Sequence, residues 1–272
     1  MKTQKVGDKV KSKMIYVQSI DLDRAIMSAQ VNLAGLFPPT GWQIWNQKIP
    51  WQPIPVHTVP LDDDKLLNLP LSNCSLFNTL VKETLKRKVV REKVRAKMQL
   101  FTVLAEYTGY DARTLMNFSN RYFYNMYDAL IVQKSHGLRL PSWANWAVLE
   151  DMKETVLFAL NILYGIYQTE TKSRFQGGVL LKDILEMITT AAQSAPEPKM
   201  VMYSTHSRTI IALQMALNVF KGELPHFSAC YFFELYQESN GQILKVISAH
   251  CYIAVVSHLQ EQKLQSKERQ RR

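Results

Sequence analysis

The residues with the clearest chemical potential lie between 201 and 214. Val201-Met202-Tyr203-Ser204-Thr205-His206 runs directly into Ser207-Arg208-Thr209-Ile210-Ile211-Ala212-Leu213-Gln214. A short apolar run ends in small polar residues and a histidine, and apolar residues at helical spacing follow. The pattern predicts a strand feeding a helix, with His206 at the strand's C-terminal edge. Open α/β sheets bind ligands at that edge. A helix N-terminus there favours an anion such as phosphate through its free N–H groups and its dipole. A histidine is cationic at acid pH. Arg208 adds a second cation within a turn, or else serves as an ordinary surface arginine. The chemistry this set suggests is the holding of a phosphate group.

Other reactive residue types reduce to structural readings. Asp21, Asp23 and Arg24 stand at an expected helix start, with Asp21 as its N-cap. Asp62-Asp63-Asp64 lacks the glycine and distal glutamate of a calcium loop and reads as a solvated turn. His57, His226, His250 and His258 share no ligand spacing, so no metal and no cofactor is expected. Ser135-His136-Gly137-Leu138-Arg139-Leu140-Pro141 puts a histidine near an arginine, but inside a helical stretch, and reads as a loop between helices. Leu213, Leu217 and Phe220 read as core.

The elements that must position His206 follow from the apolar pattern. Residues 14–19 predict a strand. Residues 21–36 predict a helix, with Leu22, Ile26, Ala29 and Leu33 at spacings of three and four, ended by Phe37-Pro38-Pro39-Thr40-Gly41. Pro53 to Pro60 predicts an extended segment. Residues 75–168 are helical, punctuated at Thr108-Gly109 and at 136–141. Gly177-Gly178 opens a helix over 179–192, and Pro196 to Pro198 links it to a strand at 199–204. That order predicts an α/β sheet domain with an inserted helical block.

Composition narrows the class. A chain of 272 residues, 47% hydrophobic and 21% charged, is that of an ordinary globular protein in one or two domains. Its net charge of +10 sits mainly in 81–97 and 263–272. The first reads as a helix with a solvated face, the second as a disordered end. Charge without aromatic or motif support does not make a nucleic-acid site, so no nucleic acid is expected. Residues 243–259 are apolar but shorter than the ~20 residues of a bilayer span. They include Lys245, His250 and His258 and predict a strand or buried segment, with no membrane span. Residues 1–13 are lysine-rich and lack the apolar centre of a signal peptide.

Several segments resemble the histidine acid phosphatases. Tyr203-Ser204-Thr205-His206-Ser207 is similar to that family's Tyr-Ser-Ala-His-Asp. Tyr16-Val17-Gln18-Ser19-Ile20-Asp21-Leu22-Asp23-Arg24 is similar to its Tyr-Val-Arg-Ser-Thr-Asp-Phe-Asp-Arg. Trp51-Gln52-Pro53-Ile54-Pro55-Val56-His57-Thr58-Val59-Pro60, Gln176-Gly177-Gly178-Val179-Leu180 and Phe233-Glu234-Leu235-Tyr236-Gln237 match as they stand. The likeness runs from about 15 to about 242. It implies a phosphoglycerate-mutase-like sheet domain with helices on both faces and an inserted α-helical cap. Residues 14–80 and 176–257 would form the discontinuous core, 81–175 the cap, and 1–13 and 258–272 basic tails.

The resemblance also implies acid phosphomonoester hydrolysis. In the family, a histidine in an Arg-His-Gly-x-Arg-x-Pro motif attacks phosphorus. Three arginines and a second histidine clamp the phosphate, and an aspartate protonates the leaving alcohol. Here nothing in residues 1–13 resembles the nucleophile motif, so the family's first strand is expected to be missing. Gln18 stands at the position of the third arginine, and offers a neutral donor without a charged fork. Ser207 stands at the position of the acid. His206 is the phosphate-binding remnant. The expectation is a truncated family member with little or no activity. The alternatives are a non-catalytic dimerising or phosphate-binding pseudophosphatase, or an unstable incomplete product. A sheet without an internal strand should leave backbone groups unpaired and stability marginal.

The implied partners are phosphate or a phosphomonoester and a second copy of the chain. Trp51 and His57 match residues that contact the second subunit in the family. Cys74 and Cys230 fall at positions that form disulfides there, but one partner position holds Val132 and the other has no counterpart, so free thiols are expected. Asn73 and Asn117 head glycosylation sequons. The family is lysosomal or secreted, whereas the absence of a signal sequence suggests a cytoplasmic protein or an incomplete N-terminus.

Overall fold

The computed structural model describes residues 14–69, 74–118, 122–193, 198–238 and 241–250. Both basic tails, Asn73, Ser119, Cys251 and His258 lie outside them. In chain order the elements are β1 (Ile15–Ile20), α1 (Asp23–Leu36), β2 (His57–Val59), α2 (Ser75–Lys86), α3 (Lys88–Ala96), α4 (Met98–Thr108), α5 (Ala112–Met116), α6 (Tyr122–Ser135), α7 (Trp146–Leu160), α8 (Thr169–Phe175), α9 (Gly177–Gln193), β3 (Met200–Ser204), α10 (Ser207–Ala216), β4 (Ala229–Glu238) and β5 (Gly241–His250). They fall into two compact units. One comprises Met1–Pro70, Val179–Ile210 and Pro225–Arg272; the other comprises Leu71–Gly178 and Ile211–Leu224.

In the first unit β1, β2 and β3 form a parallel sheet in the order β2-β1-β3. Ile15 and Val17 of β1 pack with Met200 and Met202 of β3 against Ala29, Leu33 and Phe37. Alternation sends Tyr203 to the opposite face, where its hydroxyl donates to Asp183 of α9. Helices therefore cover both faces, as expected. The small residues Ala25 and Ala29 let α1 lie close to the sheet, and Ser204 Oγ donates to the Ala25 carbonyl at 2.8 Å.

Three expectations are corrected here. Among the described residues, β1 is paired along both edges: to β2 through Gln18–His57 to Ile20–Val59, and to β3 through Ile15–Met200 to Ser19–Ser204. Direct β1–β3 pairing thus leaves no gap between these two strands, while β2 meets only Gln18–Ile20 of β1, and β2 and β3 form the edges of the described sheet. Asp21 is not the N-cap. Leu22 precedes α1 in extended conformation, its carbonyl accepts from Ala25 N and Ile26 N, and Asp23 lies in the first turn. The thiols are not all free: Cys74 is free, but Cys230 is disulfide-bonded. β4 and β5 form an antiparallel ribbon in which Ala229 pairs with His250. That ribbon also accounts for 241–250 of the apolar C-terminal segment.

The second unit is helical. Asp111 caps α5 by accepting from Arg113 N and Thr114 N, and Asn145 caps α7 by accepting from Val148 N. Gly109 ends α4 in left-handed conformation (φ 73°). Phe101 sits at its centre, with Phe123 edge-on at 5.3 Å. The helix expected over 81–97 is two helices, broken at Arg87, whose backbone is extended (φ −64°, ψ 135°).

Candidate functional site

His206 lies between β3 and α10. Its carbonyl accepts from Thr209 N at 3.0 Å and Ile210 N at 3.3 Å, so His206 caps α10 and Ser207 opens it. Hydroxyls on either side fix this corner. Thr205 Oγ1 and Thr209 Oγ1 both donate to the Leu67 carbonyl, at 3.1 and 2.8 Å, and lie 2.9 Å apart. Leu67 N in turn donates to Asp64 Oδ1 at 2.8 Å, as does Leu66 N at 3.0 Å. The expected solvated turn at 62–64 is therefore corrected at one position. Asp62 and Asp63 are exposed, but Asp64 is buried because its carboxylate gathers the N–H groups of the turn that supports His206.

His206 and Ser207 are half-buried. Arg208 is buried, not a surface arginine. Gln18 is buried and stands in register with Tyr203, three residues before His206, and with His57 on the other side. Tyr16 donates its hydroxyl proton to Gln18 Oε1 at 3.3 Å, and its ring stacks on His57 at 5.2 Å. Gln18, Tyr16 and His57 thus form one cluster along β1 and β2, while His206 and Ser207 sit at the β3–α10 corner of the same C-terminal sheet edge. Burial, and then the hydrogen bond to Asp183, push the Tyr203 phenol above its ordinary range, so it stays protonated.

Chemically, the edge offers an imidazole, a neutral amide, a hydroxyl and the N-terminus of α10. It carries no carboxylic acid at 207 and no guanidinium at 18. Among the described residues no group of three or more His, Cys, Asp or Glu is placed to hold a metal ion. No helix among them is long and apolar enough to cross a membrane. His136 lies in an exposed loop after α6, with Nδ1 2.8 Å from the Val132 carbonyl oxygen, as the loop reading expected.

Trp51 and His57 are both exposed. The Trp51 carbonyl accepts from Trp45 Nε1 at 2.7 Å. Trp42 and Trp45 beside it are 78% and 58% exposed, and Ile44 and Ile49 are exposed as well. The sequence reading named Trp51 but missed its neighbours. It also missed Thr205 and Thr209, whose spacing of four across a helix start was the available signal, and Asp183, for which sequence offers none.

A profile of the Histidine phosphatase superfamily (branch 2) matches residues 7–249. The chain belongs to that superfamily. Lysosomal acid phosphatase of Homo sapiens is 43% identical over 227 residues, covering 84% of this chain and 52% of the relative. Prostatic acid phosphatase of Bos taurus is 42% identical over 231 residues, covering 85% of this chain and 59% of the relative. The chain thus spans between half and three-fifths of these relatives' lengths. The small parallel sheet flanked by helices agrees with a branch-2 histidine phosphatase fold.

Proposed function

We propose that this branch-2 histidine phosphatase chain binds phosphate or a phosphomonoester weakly at His206 and the N-terminus of α10, and turns it over little or not at all. In this reading 14–80 and 176–257 are the phosphatase-like core and 81–175 the cap. The observation that carries it is the pair of substitutions around a well-anchored His206: a buried, neutral Gln18 where the family resemblance has a clamping arginine, and Ser207 where it has the acid. A trianionic transfer needs fixed cations and a proton for the leaving oxygen. Each lost charge-stabilising group costs about two to three decades in rate. The test is hydrolysis of p-nitrophenyl phosphate at acid pH, together with calorimetric titration of inorganic phosphate at pH 5. The expected result is negligible hydrolysis and a dissociation constant around millimolar, about −4 kcal/mol, lost in His206→Ala. Vigorous hydrolysis abolished by His206→Ala would overturn the reading.

A second role is favoured by a separate observation, the exposed apolar run at 42–51. We propose that the Trp51–His57 segment, with Trp42 and Trp45, is a surface for homodimerisation, on which a non-catalytic function would rest.

A further inference from the structure

Residues 82–97 carry eight basic and two acidic residues, a net +6 of the chain's +10. They form the end of α2, the joint at Arg87 and the whole of α3. On α3 only Val90 is buried and Val94 half-buried. Lys88, Arg91 and Arg95 recur at spacings of three and four, and so line one exposed side about 10 Å long. Exposed Lys82, Lys86 and Arg87 precede them.

The chain itself neutralises little of this charge. Lys88 lies 3.9 Å from Glu92, with both side chains solvated, a pairing worth a fraction of a kcal/mol. Arg87 is held over the Tyr167 ring at 3.9 Å, and Lys93 over Phe158 at 5.6 Å. Lys97 is taken by Asp151 and Glu154. Lys82, Lys86, Arg91 and Arg95 have no ion-pair partner among the described residues. A field of one sign, left open on two adjacent helices, attracts a polyanion.

We propose that the α2–α3 face binds a linear sulfated polysaccharide. Its closely spaced sulfates complement a row of guanidinium and ammonium groups, with arginine able to engage each sulfate through two N–H donors. The occupant follows from what the face lacks. A membrane-surface helix needs an apolar side to insert, and here Val90 is buried and Val94 half-buried, leaving Val89 and Ala96 as the exposed apolar residues of α3. Single-stranded nucleic acid is held by base stacking on aromatics; residues 82–97 contain none, and the Tyr167 and Phe158 rings beside them are covered by Arg87 and Lys93. A hydrated polyanion recognised by charge alone fits what is present.

The test is calorimetric titration of the full chain with a size-defined heparin dodecasaccharide between about 50 and 200 mM salt, where ion release makes log affinity fall linearly with log salt. Lys88→Glu/Arg91→Glu/Arg95→Glu is expected to lose at least tenfold in affinity and to flatten the salt slope by about two to three. Its melting midpoint should be kept, because all three side chains are solvated. Arg91→Gln/Arg95→Gln should move the same way by less, which separates charge from any effect on folding. A tail variant, Lys263→Ala/Lys267→Ala/Arg269→Ala/Arg271→Ala/Arg272→Ala, should lose less than threefold. No binding at the lowest salt, a loss in the tail variant equal to that of the α3 variant, or tighter binding to duplex DNA of matched charge or to phosphatidylserine vesicles would each overturn the proposal.

Discussion

Lys172 is fully buried, and its ammonium donates to Thr84 Oγ1 at 2.6 Å and to the carbonyls of Ile162 and Ile166 at 2.7 and 2.6 Å. It ties α8 to α2 and to the last turn after α7, where Tyr167 and Gln168 are both left-handed. Burial pushes its pKa down to about 8. Between that value and the ordinary lysine range the folded chain has shed a proton that the unfolded chain still holds. Stability should therefore rise with pH across that window, by up to about 1.4 kcal/mol per pH unit. Denaturant titrations at several pH values check this: Lys172→Met should abolish the rise and, by leaving buried acceptors unmade, cost roughly 1–3 kcal/mol at neutral pH. A flat wild-type profile would refute it. At Gln18, restoring a guanidinium by Gln18→Arg should tighten phosphate about tenfold or more, as expected of a charged hydrogen bond; calorimetry showing no gain would mean that position 18 does not face the anion. His206 was legible because a strand ending in small polar residues and a histidine is a local pattern. Lys172 was not, because a lysine within Thr-Glu-Thr-Lys-Ser-Arg looks like any solvated helix residue until α2 is packed over it.

At the scale of elements, β1, β3 and the long helices were legible from periodicity, whereas β4 and the joints between elements were not. The break at Arg87 falls among good helix formers. It is decided by packing: α2 buries Phe77, Leu80, Val81 and Thr84 while α3 buries Val90, and one straight helix would have to carry both sets on a common face. Gly177 is the converse case, a glycine whose role only the packing discloses. A Cβ built there would lie 1.9 Å from the Ala212 carbonyl oxygen, so the first turn of α9 runs against the backbone of α10. Gly177→Ala must push the two helices apart, at a cost of about 3 kcal/mol. Gly178→Ala, whose nearest contact is Ser173 O at 3.0 Å, should cost less. Thermal melts of the two variants side by side measure the difference, and equal midpoints would show that α10 yields without strain. Since α10 begins beside His206, Gly177→Ala should also weaken phosphate binding more than its neighbour does.

For the molecule as a whole, the question is what covers the apolar surface that folding leaves. In the described sheet β1 pairs directly with β3 without a gap, and β2 and β3 are its edges. Among the exposed apolar residues, those from Trp42 to Trp51 lie together in one short stretch, with three tryptophans at least 40% exposed. Tryptophans bury large area and anchor interfaces, with truncations commonly costing 2 kcal/mol or more. A stable dimer needs about 800 Å² per partner, more than Trp51 alone supplies, so Trp42, Trp45, Ile44 and Ile49 must share it. Sedimentation equilibrium should therefore show a concentration-dependent dimer. Trp51→Glu should weaken it by about thirtyfold or more, the equivalent of roughly 2 kcal/mol. Because Trp51 is 40% exposed and it is its backbone carbonyl, not its side chain, that accepts from Trp45 Nε1, the variant should keep the circular dichroism spectrum of the parent. Its melting midpoint at high dilution, where both are monomers, should match as well. A parent that stays monomeric at about 100 μM, or a Trp51→Glu variant that dimerises undiminished, would remove this surface from the account and leave the anion site at His206 to stand alone.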